Sequence, residues 1–266
     1  MKFKIKAMAL SKIINFANIT TKHQSENKNI VSDLVIDIRD GALHGYFVDE
    51  YSNALYGKIK YDNVEVVEEG IFGIFNLSNF SDFIKSFDYG SELTIYIENN
   101  KLIMERASPY KKVAVSLLDE NTVKDIFTKV TEMFNKMEKD GNIYKSEKFV
   151  WDSYAVLLSS HLRKIVSDTK LLESTSYIFP FELTPKEFKF KLENEDKTVQ
   201  IEAVVPTISI KTSKVEKENY SYGVDGIFTS IDGKIKLFIG EGKPIIIERI
   251  DEGDGLSALY IAVSLS

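Results

Sequence analysis

Residues 93–118 read LTIYIENNKLIMERASPYKKVAVSLL, and residues 235–266 read IKLFIGEGKPIIIERIDEGDGLSALYIAVSLS. Each stretch predicts an alternating strand, a short turn, a strand that closes on Glu-Arg, a second turn and a final strand with the letters Ala-Val-Ser-Leu. Glu105-Arg106 aligns with Glu248-Arg249, and Ala114–Leu117 aligns with Ala262–Leu265. A segment that recurs at a long period indicates that one structural unit was built twice. The sequence therefore predicts a duplicated architecture.

The composition is that of a folded protein. The chain has 266 residues, which is enough for two domains of about 130 residues each, and the repeat favours two. Hydrophobic residues make up 44%, a share that supplies cores and argues against disorder. Without cysteine the chain has neither disulfides nor a thiolate zinc site. The N-terminal MKFKIKAMAL is too short in its apolar part for a signal peptide, and no run approaches the roughly 20 apolar residues of a membrane span. We therefore expect a cytoplasmic protein without a membrane partner.

The charge argues against binding nucleic acid over the whole surface. The net charge is -6, whereas contact with phosphates requires clustered Lys and Arg. DNA binding then requires that the 34 Lys and Arg are sorted onto one face, with the acidic excess on another.

Helical and strand patterns follow the same order in both halves. Apolar periodicity predicts a helix from about Met8 to His23, a second at Ser78–Phe87, a third over residues 155–172 and a short one at Val224–Ile231. Alternating runs such as SDLVIDIRDGALHGYFVDE, EFKFKLE and TVQIEAVV predict strands, with Asp40-Gly41 as a tight turn. Each half is predicted to run helix, several strands, helix and strand pair, which is an α+β class.

The polar faces of the first and third predicted helices are basic. Lys12 and Lys22 lie on the first of these faces, where no acid accompanies them. Arg163, Lys164 and Lys170 lie on the second, in an equivalent position of the repeat. A solvated helix face explains each basic residue by itself, whereas a shared polyanionic ligand explains why the two equivalent helices agree.

A further helix is predicted between the two halves. The apolar stripe from Val123 to Met137, ended by Asp140-Gly141, has no counterpart in the first half. The helix either packs on the outside of the body, as amphipathic helices ordinarily do, or serves as a docking element for a partner. The sequence thus divides into residues 1–118, a connector at 119–150 and residues 151–266.

No group of residues predicts catalysis or a metal site. His23, His44 and His161 lie on separate predicted elements, so neither a metal site nor a catalytic triad is indicated. The stretch Gly240–Pro244 lacks the first glycine and the Ser or Thr of a phosphate loop, and Asp251–Gly255 lacks the spacing of a calcium loop. Both are predicted to be turns between strands. We expect no enzymatic activity and no cofactor.

The runs LSKIINFANI at 10–19 and FNLSNFSDFI at 75–84, together with the two closing hairpins, resemble DNA polymerase sliding clamps. The resemblance is to the trimeric type, found as phage clamps and as proliferating cell nuclear antigen, and it is nearest to the phage branch. It implies the DNA-clamp fold, in which two similar domains each place helices on one face of antiparallel sheets. Subunits of such clamps join head to tail into a ring whose hole is lined by the helices.

The resemblance also implies a function and its residues. A clamp encircles duplex DNA without reading sequence, tethers the polymerase and other replication proteins, and is placed on DNA by a clamp loader. A homotrimer is implied, in the host-cell cytoplasm if the chain is phage-encoded. The strand containing Val113, Ala114, Val115 and Ser116 would form the subunit interface, and the second-domain strand that receives it is left open. The residues implied to face DNA are Lys12, Lys22, Lys85, Arg163, Lys164 and Lys170. Those implied to line the partner groove are Leu43, Tyr46 and Ile143.

Two departures from the clamp pattern and one alternative accompany the resemblance. The connector contains a long helix where an extended loop is usual, and the fourth helix, near Asp225–Asp232, carries acids and no Lys. Three helices per subunit, rather than four, are therefore expected to follow DNA. The alternative is a structural or peptide-binding β-rich assembly protein of clamp-like fold that does not encircle DNA. A metal-dependent nuclease would require three or four converging acids.

Overall fold

The computed structural model shows an α+β protein built on antiparallel sheets. It describes residues 1–23, 26–50, 54–169, 179–193, 200–220 and 224–263. Within these ranges every pairing between strands is antiparallel. The predicted class is therefore confirmed.

The described part of the first 118 residues supplies eleven strands and two helices. The helices are α1 (Ala7–Ala17) and α2 (Leu77–Lys85). The strands are β1 (Lys2–Lys6), β2 (Thr20–His23), β3 (Glu26–Asn29), β4 (Leu34–Arg39), β5 (Ala42–Val48), β6 (Leu55–Tyr61), β7 (Glu65–Glu68), β8 (Gly70–Ile74), β9 (Glu92–Glu98), β10 (Lys101–Arg106) and β11 (Lys111–Ser116).

The remaining residues supply three helices and twelve strands within the described ranges. The helices are α3 (Glu120–Asn135), α4 (Ser159–Thr169) and α5 (Val224–Ser230). The strands are β12 (Glu138–Asp140), β13 (Ile143–Lys145), β14 (Val150–Trp151), β15 (Tyr154–Leu158), β16 (Phe179–Leu183), β17 (Phe188–Glu193), β18 (Gln200–Val205), β19 (Ser209–Lys211), β20 (Glu216–Tyr220), β21 (Lys234–Phe238), β22 (Ile245–Arg249) and β23 (Leu256–Ala262).

The sheets display the duplication. A five-stranded sheet has the order β11-β10-β9-β1-β7, and one end of a nine-stranded sheet repeats it as β23-β22-β21-β15-β19. The other end of the nine-stranded sheet, β6-β5-β4-β8, is repeated by a four-stranded sheet with the order β18-β17-β16-β20. The nine-stranded sheet is therefore a five-stranded unit from the second half joined to a four-stranded unit from the first. Strands β23 and β6 make that junction.

Four helices lie on one side of these sheets. Helix α1 contacts α2 and α5, and α5 contacts α4, so the four form a row. Their apolar stripes enter the main core, as Ile13 of α1, Phe80 of α2 and Leu162 of α4 illustrate. The sheets contribute alternate residues to the same core, including Ile245 and Ile247. Burial of one stripe per helix leaves a polar stripe on the opposite side.

Helix α3 covers the other side of the nine-stranded sheet. Asp119 caps its first turn by accepting hydrogen bonds from the backbone N–H groups of Asn121 (3.1 Å) and Thr122 (3.0 Å). Its stripe, including Val130 and Phe134, packs in a second core on outward sheet residues such as Ile246. The prediction of a helix that packs on the outside of the body is confirmed. The following strands β12, β13 and β14 form a small sheet of their own.

Two glycine positions explain local geometry. Asp40 and Gly41 both adopt positive φ, 52° and 72°, and close the tight turn predicted between β4 and β5. Gly57 of β6 lies opposite Phe47 of β5, and a Cβ at position 57 would overlap the Phe47 ring. The missing side chain therefore makes room for a large core aromatic.

Several predicted boundaries were wrong. Each half begins with a strand, β1 or β15, so residues 155–158 are strand rather than helix. Helix α1 ends at Ala17, and Thr20–His23 is a strand, because the β-branched residues from Ile19 to Thr21 favour extended backbone. Asp140-Gly141 forms the turn between β12 and β13 instead of ending α3.

The predicted register of the repeat was also wrong by one residue. Glu105 of β10 lies opposite Lys112, and its counterpart Glu248 lies opposite Leu259. By the pairing of the strands, Ala114 of β11 is therefore equivalent to Ile261 of β23. Alignment of the shared letters Ala-Val-Ser-Leu instead makes Ala114 equivalent to Ala262. The turn before β23 is longer than the turn before β11, and the extra residues shift the letters. A shift of one residue exchanges the two faces of a strand, which agrees with an exposed Ala114 and a buried Ala262.

Candidate nucleic-acid, subunit and partner interfaces

The exposed side of α1, α2, α4 and α5, called here the helix face, carries the residues predicted to meet DNA. Lys12 of α1 is not free on this face, because its Nζ lies 3.4 Å from Asp232 and 3.5 Å from Asp254. Lys85 of α2 pairs with Asp82 at 2.9 Å one turn earlier. Both pairs are partly or largely exposed, so solvent weakens them and a phosphate can compete for either lysine.

Helix α4 carries two cations whose surroundings differ from those of Lys12 and Lys85. Arg163 and Lys164 are both exposed, and within the described residues neither has a carboxylate at salt-bridge distance. Arg163 makes a long hydrogen bond of 3.4 Å to Ser159 of its own helix. Together with Lys12, Asn15 and Ser230, Arg163 lines a cavity of about 370 Å³ between α1, α4 and α5. Lys170 lies outside the described residues, and so does the side chain of Lys22.

The acids of the fourth helix do not project freely from the helix face. Asp225 is buried at 7% exposure. Asp232 lies beyond the end of α5, within 3.4 Å of Arg249, which is itself 3% exposed. Arg249 also holds Asp254 through two hydrogen bonds of 3.0 and 2.8 Å. Burial by itself would raise the pKa of Asp254, but the hydrogen bonds and charge of Arg249 outweigh it and hold that pKa below its usual value.

Strands β11 and β18 are edge strands, and among the described residues neither has a neighbour on its outer side. In β11 Val113 and Val115 pack against the main core, while Ala114 and Ser116 are exposed, so the predicted division of faces is confirmed. Strand β18 has the same character, since Ile201 and Ala203 are half-buried against the core. Val204 on its other side is 57% exposed. The unpaired backbone groups of such edges are templates for another strand.

A cavity of about 490 Å³, called here the outer groove, lies between the C-terminal end of α3, strands β12 and β13 and the outward face of the nine-stranded sheet. Tyr46 lines it, as predicted. Leu43 does not, because it is fully buried in the main core on the other side of the sheet. An odd spacing along a strand places two residues on opposite faces, and this is why Leu43 and Tyr46 separate. Ile143 is half-exposed on β13, and its neighbour Tyr144 lines the groove instead.

Backbone N–H groups of the turn at Gly240–Pro244 are already bound by carboxylates of the chain itself. Glu216 is fully buried and accepts a hydrogen bond from the backbone N–H of Glu241 at 3.1 Å. Glu218 accepts from the backbone N–H of Gly242. These carboxylates occupy the amide groups that a phosphate would need. The predicted turn between strands is confirmed.

The described residues contain no cluster of three or more His, Asp or Glu able to hold a metal ion. Within the same ranges no helix is long and apolar enough to cross a membrane. His44 lies on β5 and His161 on α4, and His161 contacts the carbonyl oxygen of Pro206 through Nδ1.

No protein-family model matches the chain, and no curated protein matches its sequence. Solved structures match it over its whole length. The proliferating cell nuclear antigen (PCNA) of Entamoeba histolytica superposes with a TM-score of 0.73 at 13% identity, covering 100% of this chain and 98% of that one. The chain has the sliding-clamp fold.

Further structures agree with this clamp fold. A. fulgidus PCNA, bound to the C-terminal region of FEN-1, gives a TM-score of 0.70 at 14% identity, with 100% of this chain and 98% of that chain covered. A chain of the PCNA2-PCNA3 complex from Sulfolobus tokodaii gives 0.71 at 12% identity, with 100% and 99% covered. These relatives come from cellular organisms and lend no support to the expected phage origin. At such identities the likeness concerns the fold.

Sequence reasoning missed three features of this clamp fold. Strand β18 was predicted as a strand, but nothing in its letters marks it as an edge. His44 and Lys58 are not predicted to line the outer groove, although the alternation of β5 and β6 places both on the face of Tyr46. The acids beside Lys12 come from residues more than 200 positions away, which no local pattern predicts.

Proposed function

We propose that the chain is the subunit of a ring-shaped DNA sliding clamp, a processivity factor for DNA replication. One observation carries the proposal. Within the chain, the last strand of the second five-stranded unit, β23, joins the outer strand of the first four-stranded unit, β6. The equivalent strands, β11 and β18, have the same order of neighbours in their sheets, and within the described part of the chain their outer edges are unpaired. The same junction made between two copies joins subunits head to tail.

A head-to-tail junction uses different surfaces on the two partners, so it closes into a ring when the rotation permits and otherwise grows a filament. Each subunit supplies two repeated units, which we assign to residues 1–118 and 151–266 with a connector at 119–150. Three copies then give six units, and the proposed assembly is a homotrimer. The half-buried Val113 and Val115 of β11 and Ile201 of β18 gain cover when the two edges pair.

The helix face is proposed to line the hole. Its cations meet phosphates without contacting base edges, and contacts of that kind carry no sequence information. Arg163 and Lys164 provide the uncompensated charge, whereas Lys12 and Lys85 must exchange a carboxylate for a phosphate. Binding to double-stranded DNA is therefore modest, independent of sequence and sensitive to salt.

The outer groove is proposed to tether the polymerase and other replication proteins, and a clamp loader is proposed to open the ring. We assign no catalytic role to the chain, and we place it in the intracellular compartment where DNA is replicated. Tyr46 and Tyr144 are the groove residues proposed to contact partners, in place of Leu43.

A second function is favoured by the weakness of the helix face. Because two of its cations are already paired with acids, the chain could be a clamp-like peptide-binding or structural protein that does not encircle DNA. The two functions differ in whether copies assemble through β11 and β18 and whether DNA passes through the assembly.

Solution mass by light scattering tests the assembly, with a matched pair of proline variants. In an edge strand the N–H groups of successive residues point alternately inward and outward, so one of Val113→Pro and Ala114→Pro removes an outward donor without removing an inward one. Val67→Pro places the same change in β7, an edge strand outside the proposed junction. We expect three times 30.3 kDa for the wild type and the Val67→Pro control, and a loss of mass for at least one of the other variants. Full mass in both β11 variants would contradict the junction.

A further inference from the structure

The outer groove combines an apolar floor with a surplus of positive charge. Its apolar lining includes Tyr46, Phe134, Met137 and Tyr144. Its charged lining includes Arg39, Lys58, Lys60 and Lys139, against a single acid, Glu248. A groove of this composition accepts apolar side chains and at the same time favours negative charge in whatever carries them.

Most of these cations already have partners. Arg39 lies 3.1 Å from Asp37, Lys60 lies 2.7 Å from Asp62, and Lys139 pairs with Glu248. Lys58 is different, because within the described residues its ammonium has no carboxylate or hydrogen-bond acceptor. It lies over the ring of Phe134, 4.6 Å from the centroid.

Lys58 is also partly shielded from water. Burial lowers the pKa of its ammonium, and the positive charge of Lys139 lowers it further, while Glu248 compensates only in part. Partial burial of an ammonium without a neighbouring anion costs free energy of desolvation, and a carboxylate placed beside the ammonium offsets that cost.

A second polar atom beside Lys58 has no partner. The side-chain Nε2 of His44 is buried without a hydrogen bond among the described residues. Strands β5 and β6 pair Tyr46 with Lys58 and His44 with Lys60, so His44 and Lys58 are diagonal neighbours on the groove side of the sheet. Burial also lowers the pKa of the His44 imidazole.

The groove walls are fixed in place before any partner arrives. The Nε1–H of Trp151 donates to the carbonyl oxygen of Pro244 at 2.8 Å, and Lys236 donates to Asn142 in the β12–β13 turn at 2.7 Å. The strands that cover the groove are thus anchored to the sheet at two points. Because the groove is already ordered, binding a partner costs little free energy for ordering its walls.

We propose that the occupant of the outer groove is a peptide segment of a partner protein that inserts aromatic or aliphatic side chains and places a carboxylate, from Asp, Glu or its own C-terminus, on Lys58 beside His44. This inference rests on the proposed function in naming the groove as the tethering site. It adds one chemical requirement for the tethered segment, a carboxylate that contacts Lys58.

Fluorescence anisotropy with two synthetic peptides tests the inference. Both probes carry two Phe and two Leu, and they differ only in having three Glu or three Gln between them, with amidated C-termini. We expect the Glu peptide to bind about tenfold more tightly, the effect of one charge-assisted hydrogen bond in a partly buried site. Lys58→Met should abolish the difference between the two peptides, whereas Lys58→Arg should retain most of it.

A control variant and two further measurements distinguish failure of this inference from loss of the fold and from failure of the proposed ring. Lys124→Met, an exposed change on the outer side of α3, should leave the preference intact, and thermal melting of each variant checks that the fold is kept. Equal affinity for both peptides, or a preference that survives Lys58→Met, would overturn the inference. Equally tight binding of polyglutamate would also overturn it, because the groove would then recognise charge alone. The solution mass is measured separately, so a monomer that still prefers the Glu peptide would contradict the ring and leave the groove standing.

Discussion

Neutralising the two cations of α4 that have no carboxylate partner among the described residues should weaken the salt dependence of DNA binding by a calculable amount. The change is the double substitution Arg163→Gln and Lys164→Gln. Each cation that displaces counterions from duplex DNA adds about 0.9 to the slope of log K against log salt, so the pair contributes about 1.8. Between 50 and 200 mM salt, a slope difference of about 1.8 changes the ratio of the two affinities about tenfold.

Lys85→Gln should change the slope by clearly less than about 0.9, because Asp82 already compensates part of its charge. Lys124→Gln is the matched control, since it removes an exposed cation from the outer side of the molecule. The assay is anisotropy of a labelled 30-base-pair duplex, measured across the salt range for each variant. The reasoning fails if the double variant keeps the wild-type slope, or if Lys124→Gln lowers it as much.

Two predictions concern stability. Gly57→Ala should cost about 1–3 kcal/mol, because its Cβ would overlap the Phe47 ring. Gly45→Ala should cost less than half as much, because its Cβ approaches a flexible Leu34 methyl at 3.3 Å and otherwise makes ordinary contacts with Ile59 from 3.5 Å. Urea unfolding of both variants measures the difference, and equal costs would contradict the packing argument. Asp254→Asn should destabilise the protein at neutral pH. The pKa of Asp254 is lowered in the folded chain by Arg249, so its contribution is present above the unfolded value of about 3.9 and is lost as the pH falls through the folded value. The wild type and this variant should therefore converge in melting temperature toward acid pH, and a constant gap would show that Asp254 does not stabilise through its charge.

The sequence predicted the repeating parts of the fold well because their periodicity is local. The triplets β9-β10-β11 and β21-β22-β23, strands β17 and β18 and helix α3 all follow apolar patterns that need no knowledge of distant residues. The strand at Lys2–Lys6 alternates just as clearly, but five residues beside a helix pattern give a weak signal.

The interfaces were predicted less well, because they depend on pairing between distant segments. The local sequence suggests that Lys12 is an unpaired cation, whereas the fold places Asp232 and Asp254 beside it. Leu43 and Tyr46 are close in sequence, but the strand buries Leu43 in the main core and turns Tyr46 to the opposite face of the sheet. Which strands remain as edges follows from the sheet order, which only the folded chain displays.

A topological test addresses the central claim, that copies of the chain close around DNA. The chain has no cysteine, so Ala114→Cys on β11 and Glu202→Cys on β18 place reactive thiols only on the two edges. Dilute subunits are mixed with nicked circular DNA, concentrated to assemble, joined by a bismaleimide and then washed in denaturant. Closure around DNA predicts protein that stays on the circle and leaves when a restriction enzyme linearises it. Release from the intact circle, with the crosslink formed, would contradict the claim.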